Sequence, residues 1–221
     1  MNSPFNPLIE AVIFDMDGVI VDSEPHHKQA FHDVLRGLGY QLGHGMKFED
    51  YVGRSDFEMW VDFVRHHKPA QTVEELVALK RNRMIEVVKS VQPIFPGLPD
   101  LVEKLARRYP LAVASGSEHP VVEAVLSLKG LRQFFSVVVS SSDVRHGKPA
   151  PDIFLRAAAL LGVASEHCCV IEDSKPGVAA GLAAGMRVVA ITNTHERDDL
   201  ANATHVVDDY EQIERLLAPA A

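Results

Sequence analysis

Two carboxylates, Asp15 and Asp17, stand two residues apart directly behind a short apolar run. If both stay ionised and close, they repel each other unless a cation lies between them. Mg²⁺ prefers oxygen ligands, usually binds one or two carboxylates, and keeps places for water and phosphate. A calcium loop of the EF-hand type is excluded, because Val19, Ile20 and His26 stand at its fifth, sixth and twelfth positions. The spacing therefore indicates a magnesium site at the end of a buried strand.

Other polar groups, remote in sequence, follow further apolar runs. Ser115 and Gly116 come after "LAVA", Lys148 lies in "GKPAPDIF", and Glu172 and Asp173 close "CCVIED". Ligands of open parallel sheets bind outside the carboxyl ends of the strands, so we expect these groups to meet at one edge. Isolated acids after one strand could be ordinary surface residues, but a hydroxyl, a lysine and a second acid pair at other strand ends favour a site.

This set of groups suits phosphate chemistry. Asp15 and Asp173 could hold Mg²⁺, while Ser115 and the Gly116 amide at a helix start would bind phosphate oxygens. Lys148 would offset the negative charge of both the phosphate and a carboxylate nucleophile.

The two acids of the first pair can divide the reaction between them. Asp15 can accept a phosphoryl group as an aspartyl phosphate. Asp17 can protonate the leaving alkoxide and later take a proton from water.

The elements that position these residues alternate between strands and helices. Nearly continuous runs of Val, Ile, Ala and Cys indicate strands covered on both faces; they lie at 10–15, 111–115, 136–141, 168–173, 187–192 and 205–209. Between them, helices are predicted at 118–129, with Ser117 as the N-cap, at 151–161, and over "KPGVAAGLAAG". The alternation predicts an α/β fold with a doubly wound, parallel, Rossmann-like sheet.

The alternation stops after the first strand. Three helical patterns follow, and the third opens with Thr72 and Glu75, which form a capping box. We therefore predict a small all-helical cap domain at 22–91, inserted into a core domain made of 1–21 and 92–221.

Composition limits the classes of partner. The formal net charge of −8 argues against a nucleic-acid binder, and no apolar run is long enough to suggest a membrane span. The first residues show no signal peptide, and adjacent Cys168 and Cys169 suggest buried thiols in a reducing compartment. We expect a soluble cytoplasmic protein.

Four segments together resemble the motifs of the haloacid dehalogenase-like hydrolases: "DMDGVIVDSE", "ASGSE", "GKPAPDIF" and "VIEDSKPGVAAGLAAG". Their order and spacing are similar to those of the β-phosphoglucomutase-like branch, which carries a helical cap after the first motif. The resemblance implies that Asp15 is the nucleophile and Asp17 the general acid/base, whose backbone carbonyl also faces Mg²⁺.

The same resemblance assigns the remaining core residues. Ser115 and Lys148 would bind phosphate. Asp173 would ligate the metal, and Glu172 would be a further or alternate ligand.

Substrate choice should lie in the cap, because the core meets only the phosphate group. His27 aligns with a histidine of the resembling mutases, Arg54 lies in the segment similar to their specificity loop, and Arg81 is our choice for the distal end of a substrate. The alternative for each is an ordinary solvated residue. Asp56 and His119 stand where the mutases carry an arginine and an asparagine, which weakens the mutase interpretation.

We therefore expect a monomeric, Mg²⁺-dependent phosphatase that acts on a small phosphorylated metabolite, a sugar phosphate. One alternative is a β-phosphoglucomutase-type mutase, in which a sugar hydroxyl receives the phosphoryl group. Another is a non-catalytic sensor of a phosphorylated metabolite.

Overall fold

The computed structural model describes residues 9–40, 45–51 and 56–218. Six parallel strands form one sheet within these residues, in the order β3-β2-β1-β4-β5-β6. Their bounds are β1 (Ala11–Phe14), β2 (Leu111–Ala114), β3 (Phe135–Val139), β4 (Cys168–Glu172), β5 (Arg187–Ile191) and β6 (His205–Val207). The predicted doubly wound α/β fold is confirmed, and each predicted strand is present.

The order of the strands reverses beside β1. Ile13 of β1 pairs with Ala112 of β2 on one side and with Val170 of β4 on the other. The chain builds the sheet outward from β1 to β3, and then from β4 to β6. The reversal between β1 and β4 leaves a crevice at the carboxyl ends of these two strands, the usual place for a ligand in such sheets.

Eight α-helices accompany the strands in the described part of the chain. They are α1 (Glu24–Gly37), α2 (Asp56–His67), α3 (Val73–Val91), α4 (Leu98–Ala106), α5 (His119–Ser127), α6 (Asp152–Leu161), α7 (Lys175–Ala183) and α8 (Tyr210–Leu217). Alternate strand residues such as Ile13 and Val170 pack with α6 and α7 in one cluster. Their neighbours Val12 and Ile171 point to the other face and are equally buried, so both faces of the sheet are covered. Cys168 and Cys169 lie in β4 as buried free thiols.

The chain divides into two compact units. One runs up to Asp22 and resumes at Pro93, and the other is Ser23–Gln92. The boundaries predicted from the sequence lie one residue before each of these. The two connecting segments of the first unit lie side by side, because Val21 and Ile94 form an antiparallel bridge and the amide of Asp22 donates to the carbonyl of Pro93 at 2.9 Å.

The second unit contains α1, α2 and α3, and its core is aromatic. Phe31, Trp60 and Phe63 are buried, with ring centroids 5.4–5.5 Å apart between Trp60 and each phenylalanine. Each such side chain contributes roughly 1.5–3 kcal/mol by leaving water. The capping box predicted at Thr72 and Glu75 is present at the start of α3. Within the described residues, every helix is too short or too polar to cross a membrane.

Candidate active site

The carboxyl edge of the sheet gathers the polar residues predicted from the sequence. Asp15 follows β1, Ser115 follows β2, and Asp173 follows β4, whose last residue is Glu172. Lys148 reaches the same place from the loop before α6. All but Lys148 are buried, and Lys148 is nearly so.

The ammonium of Lys148 lies between two carboxylates. Its Nζ is 2.5 Å from Oδ1 of Asp15 and 2.6 Å from Oε1 of Glu172, and it stands 4.9 Å from the ring centroid of Phe154. Burial alone would lower the pKa of this lysine, but the two carboxylates outweigh burial and raise the pKa above its ordinary value. Lys148 is therefore a fixed positive charge beside the proposed nucleophile.

Glu172 is held in place through both of its carboxylate oxygens. Oε1 accepts from Lys148, while Oε2 accepts from the amides of Asp173 and Ser174 and from the Ser174 hydroxyl at 2.8–2.9 Å. The side chain is 0% exposed. It lies against Gly177 in the first turn of α7, where an added Cβ would be 1.7 Å from Oε1. The start of α7 thus fixes the carboxylate that fixes Lys148.

Asp173 lies between the segments that follow β1 and β5. An added Cβ at Gly18, which has a φ of +80°, would be 1.9 Å from Oδ2 of Asp173, and the hydroxyl of Thr194 donates to the same oxygen. Burial and the nearby Glu172 carboxylate raise the pKa of Asp173 to about 7. Only glycine permits this close approach after Asp17.

These acids fit a divalent cation. Asp15, Glu172 and Asp173 each offer a carboxylate oxygen, and the three oxygens lie within 4.8 Å of one another. Burial, together with the neighbouring carboxylates, raises the pKa of Asp15 against the opposing effect of Lys148. One ammonium faces three buried carboxylates in this group, so a further positive charge would relieve the repulsion. An all-oxygen set of this kind suits Mg²⁺.

Asp17 is held by the serines that follow β2. Its Oδ2 accepts from the hydroxyl of Ser117 at 2.9 Å and lies 3.4 Å from the hydroxyl of Ser115, whose oxygen also accepts from the amide of Ser117. The prediction that Ser117 caps the following helix is wrong, because α5 begins at His119 with Glu118 as its N-cap. Gly116 is exposed before that helix rather than in its first turn.

The cap residues belong to the second unit, and Arg54 lies outside the described residues. Nδ1 of His27 is 3.2 Å from Nζ of Lys80, which also forms an ion pair with Asp56. Lys80 is 1% exposed, whereas its neighbour Arg81 is only partly buried. Roles for His27, Arg54 and Arg81 in substrate binding remain predictions.

Sequence reasoning missed several polar residues of these networks. Lys80 has a signal in the sequence, because it stands four residues from both Leu76 and Met84 on the buried stripe of α3. Thr194 follows a predicted strand at the same edge as Asp173, which was a reason to consider it. Ser117 lies in the quoted motif, but a hydroxyl after a strand can cap a helix or contact another strand end with equal ease.

A family model described as haloacid dehalogenase-like hydrolase matches residues 9–185. The chain is 37% identical over 191 residues to fructose-1-phosphate phosphatase YqaB of Escherichia coli, with 81% of this chain and 95% of that protein covered.

Solved structures share the fold over nearly the whole chain. The crystal structure of CbbY from Rhodobacter sphaeroides in complex with xylulose-(1,5)bisphosphate matches with a TM-score of 0.82 and 27% identity, covering 92% of this chain and 95% of that one. β-Phosphoglucomutase from Clostridium difficile matches with a TM-score of 0.76 and 25% identity, covering 95% and 97%. With its four sequence motifs and its helical insert, the chain belongs to the haloacid dehalogenase-like hydrolases, in their β-phosphoglucomutase-like branch.

Proposed function

We propose that this enzyme is a Mg²⁺-dependent phosphatase that hydrolyses a small sugar phosphate through an aspartyl phosphate on Asp15. The observation that carries the proposal is the position of Asp15, buried beside the fixed charge of Lys148 and within reach of two further carboxylates. That surrounding suits a carboxylate that must attack an anionic phosphate.

The reaction has two displacements at phosphorus. A carboxylate oxygen of Asp15 attacks, the bond from phosphorus to the sugar oxygen breaks, and Asp17 gives its proton to the leaving alkoxide. Water then attacks the phosphoryl group, Asp17 takes the water's proton, and Asp15 is released with inorganic phosphate. Ser117 supports this role, because its hydroxyl holds one oxygen of Asp17 at 2.9 Å.

The metal would be held by Asp15, Asp173 and the backbone carbonyl of Asp17, with Glu172 as a further ligand. When bound, it would neutralise charge on the nucleophile and on the substrate phosphate. Ser115, Gly116 and Lys148 would bind the phosphate oxygens.

The substrate class rests on the relatives. One is named a fructose-1-phosphate phosphatase, and a structural neighbour holds a pentulose bisphosphate. Both ligands are phosphorylated sugars, so we infer a phosphorylated sugar as the substrate of this chain.

The test is phosphate release from a panel of sugar phosphates with Mg²⁺, including fructose 1-phosphate and xylulose 1,5-bisphosphate. We expect turnover by the wild-type protein and none by Asp15→Asn, with the same far-ultraviolet circular dichroism for both. Near-normal activity of Asp15→Asn would rule out the nucleophile assignment. Absence of turnover across the panel would favour a sensor.

A mutase is the second candidate, because a β-phosphoglucomutase shares the fold over 95% of this chain. Incubation with β-glucose 1-phosphate and a bisphosphate primer separates the two activities. Glucose 6-phosphate as the product would establish the mutase, and inorganic phosphate the phosphatase. We also propose a monomer, which sedimentation of the purified protein would check.

A further inference from the structure

The segment Asn193–Thr194 begins two residues after Ile191, the last residue of β5. It lies at the same edge of the sheet as the active site. β5 pairs with β4, so the segment lies beside the end of the strand that carries Glu172 and Asp173. Neither the motifs nor the proposed reaction uses it. Its side chains nevertheless contact two parts of the site.

Thr194 determines how Asp173 is oriented. Its hydroxyl donates to Oδ2 of Asp173, and the backbone of Gly18 closes the other side of that oxygen so tightly that a Cβ would be 1.9 Å away. A carboxylate with one oxygen held by a hydrogen bond and by close packing has little freedom to rotate. Oδ1 lies farther from the Gly18 position, 2.9 Å from the same added Cβ, and does not accept from Thr194, so we expect it to be the oxygen that faces a cation.

Asn193 holds the turn that follows Asp17. Its Nδ2 donates to the carbonyl of Gly18 at 2.7 Å and to the hydroxyl of Tyr210 at 3.0 Å. Tyr210, at the start of α8, donates in turn to the carbonyl of Val19 at 2.6 Å. Burial raises the pKa of the Tyr210 phenol above its ordinary value, so the phenol keeps the proton that it donates. Two consecutive carbonyls of the turn are thus tied to β5 and α8.

We propose that Asn193 and Thr194 are positioning residues of the active site: Thr194 directs the Asp173 carboxylate toward the cation, and Asn193 with Tyr210 fixes the turn behind Asp17. The proposal rests on the proposed function for its catalytic consequence, but its metal-binding consequence can be measured without any substrate. Hydrogen bonds that orient metal ligands typically change metal affinity by about 10- to 100-fold.

Mn²⁺ binding tests Thr194, with Mn²⁺ as a spectroscopic substitute for Mg²⁺ and free Mn²⁺ measured by electron paramagnetic resonance without substrate. We expect Thr194→Val, which keeps the shape and removes the hydroxyl, to weaken Mn²⁺ binding about tenfold or more. Thr194→Ser, which keeps the hydroxyl, should bind within about threefold of wild type. The melting temperature of the metal-free protein should change little in either variant.

Thr192→Val is the matched control. Its hydroxyl donates at 2.9 Å to Oδ1 of Asp208, which is not one of the three clustered acids, and Asp208 keeps Arg197 as a partner. This variant loses a threonine hydroxyl from the same segment and should bind Mn²⁺ like wild type. If Thr192→Val and Thr194→Val weakened Mn²⁺ binding equally, the effect would come from a general disturbance of the segment after β5, and the proposal would be overturned. So would unchanged binding in Thr194→Val, or in Thr194→Ala if the valine variant does not fold.

Steady-state kinetics test Asn193. We expect Asn193→Ala and Tyr210→Phe each to lower kcat by about tenfold to a hundredfold with KM nearly unchanged, because misplacing a reacting group affects the transition state. The double variant should lose no more than either single variant, since both belong to one network. Additive losses, or losses in KM alone, would contradict the positioning role. If wild type turns over no phosphate ester, the proposed function fails while the Mn²⁺ measurements still decide the role of Thr194.

Discussion

At the scale of single residues, the site depends on one lysine placed between two acids. At 2.6 Å, two unit charges attract by about 6 kcal/mol if the effective dielectric constant is about 20. Burying each ion costs several kcal/mol, so the Lys148 contacts offset the burial of Asp15 and Glu172 without leaving a large surplus. At Asp173, burial and the neighbouring Glu172 carboxylate outweigh the Thr194 hydroxyl and the charge of Lys148, so the pKa is raised to about 7.

The raised pKa of Asp173 predicts how stability depends on pH in the metal-free protein. Its folded pKa of about 7 exceeds the ordinary 3.8, so the folded state binds more protons than the unfolded state between these values. The stability that this group contributes is present below the lower value and is lost as pH rises through about 7. The asparagine of Asp173→Asn does not titrate, so this variant does not lose stability in this way. Its free energy of unfolding, relative to that of wild type, should rise by up to about 3 kcal/mol between about pH 5 and about pH 8.

Urea denaturation in EDTA at several pH values measures this difference. Saturating Mg²⁺ is the control, because a bound cation favours the ionised carboxylate and should remove the advantage of the asparagine variant. A difference between the two proteins that stays constant from acid to neutral pH would show that Asp173 is not strained by its charge.

The kinds of residue at the site could be predicted, because strand ends of a parallel sheet meet at one edge. Asp15, Lys148 and Asp173 were found in this way, and the structure brings them together. The partners of the hydroxyl groups were not predictable. Whether Ser117 bonds a helix amide or Asp17 depends on where α5 begins, and that differs by one residue from the prediction.

At the scale of elements, the first turn of α7 acts on the site through a glycine. Gly177 leaves room for Glu172 below the helix start, and Ser174 caps the helix by accepting from the amide of Gly177 at 3.1 Å while its own amide and hydroxyl donate to Glu172. The helix thus binds the carboxylate that holds Lys148.

Gly177→Ala should therefore damage both stability and activity. The added Cβ would meet Oε1 of Glu172 at 1.7 Å, and moving the carboxylate would break its contact with Lys148. Overpacking of this kind costs about 1–3 kcal/mol. We expect a lower melting temperature together with a loss of phosphatase activity.

Gly37→Ala is the matched helical control, because its new Cβ would have nothing within 4 Å. Alanine there should stabilise the protein by about 0.4–1 kcal/mol and leave activity unchanged. If Gly177→Ala and Gly37→Ala changed melting temperature and activity in the same way, the close approach of Gly177 to Glu172 would not be needed for stability or activity.

Strands and helices with a clear pattern of apolar residues could be predicted from the sequence. Short helices that depend on packing against other elements were harder to predict. The β-strands stood out because their apolar runs are covered on both faces. The helices α4 and α8 were not predicted. Each is short, so its sequence pattern is weak, and the two helices pack against each other in the structure. Tyr210 was missed with α8, since a tyrosine at a helix start gives no sign of a carbonyl partner far away in the sequence.

At the scale of the whole molecule, the three clustered acids of the candidate metal site belong to one unit. Asp15, Glu172 and Asp173 lie in the unit that ends at Asp22 and resumes at Pro93. The chain leaves and re-enters this unit at adjacent points, joined by the bridge between Val21 and Ile94. We propose that the two units are separate domains, with the site's metal chemistry in the first and substrate selection in the second.

Replacing Ser23–Gln92 by a short glycine–serine linker tests this division. Because the amide of Asp22 already donates to Pro93 at 2.9 Å, the shortened chain can close without strain in the sheet. We expect cooperative unfolding and wild-type Mn²⁺ affinity, but loss of discrimination among phosphate esters. Loss of Mn²⁺ binding in a folded shortened protein would place part of the metal site in the removed unit.

The bond from Tyr210 to the carbonyl of Val19 joins positions 191 residues apart. During synthesis, β1 leaves the ribosome before the other five strands, whereas the bond that Tyr210 donates to Val19 can form only after the start of α8 has emerged. The helical insert and all six strands can therefore form before the turn at Gly18 and Val19 gains its bond to Tyr210.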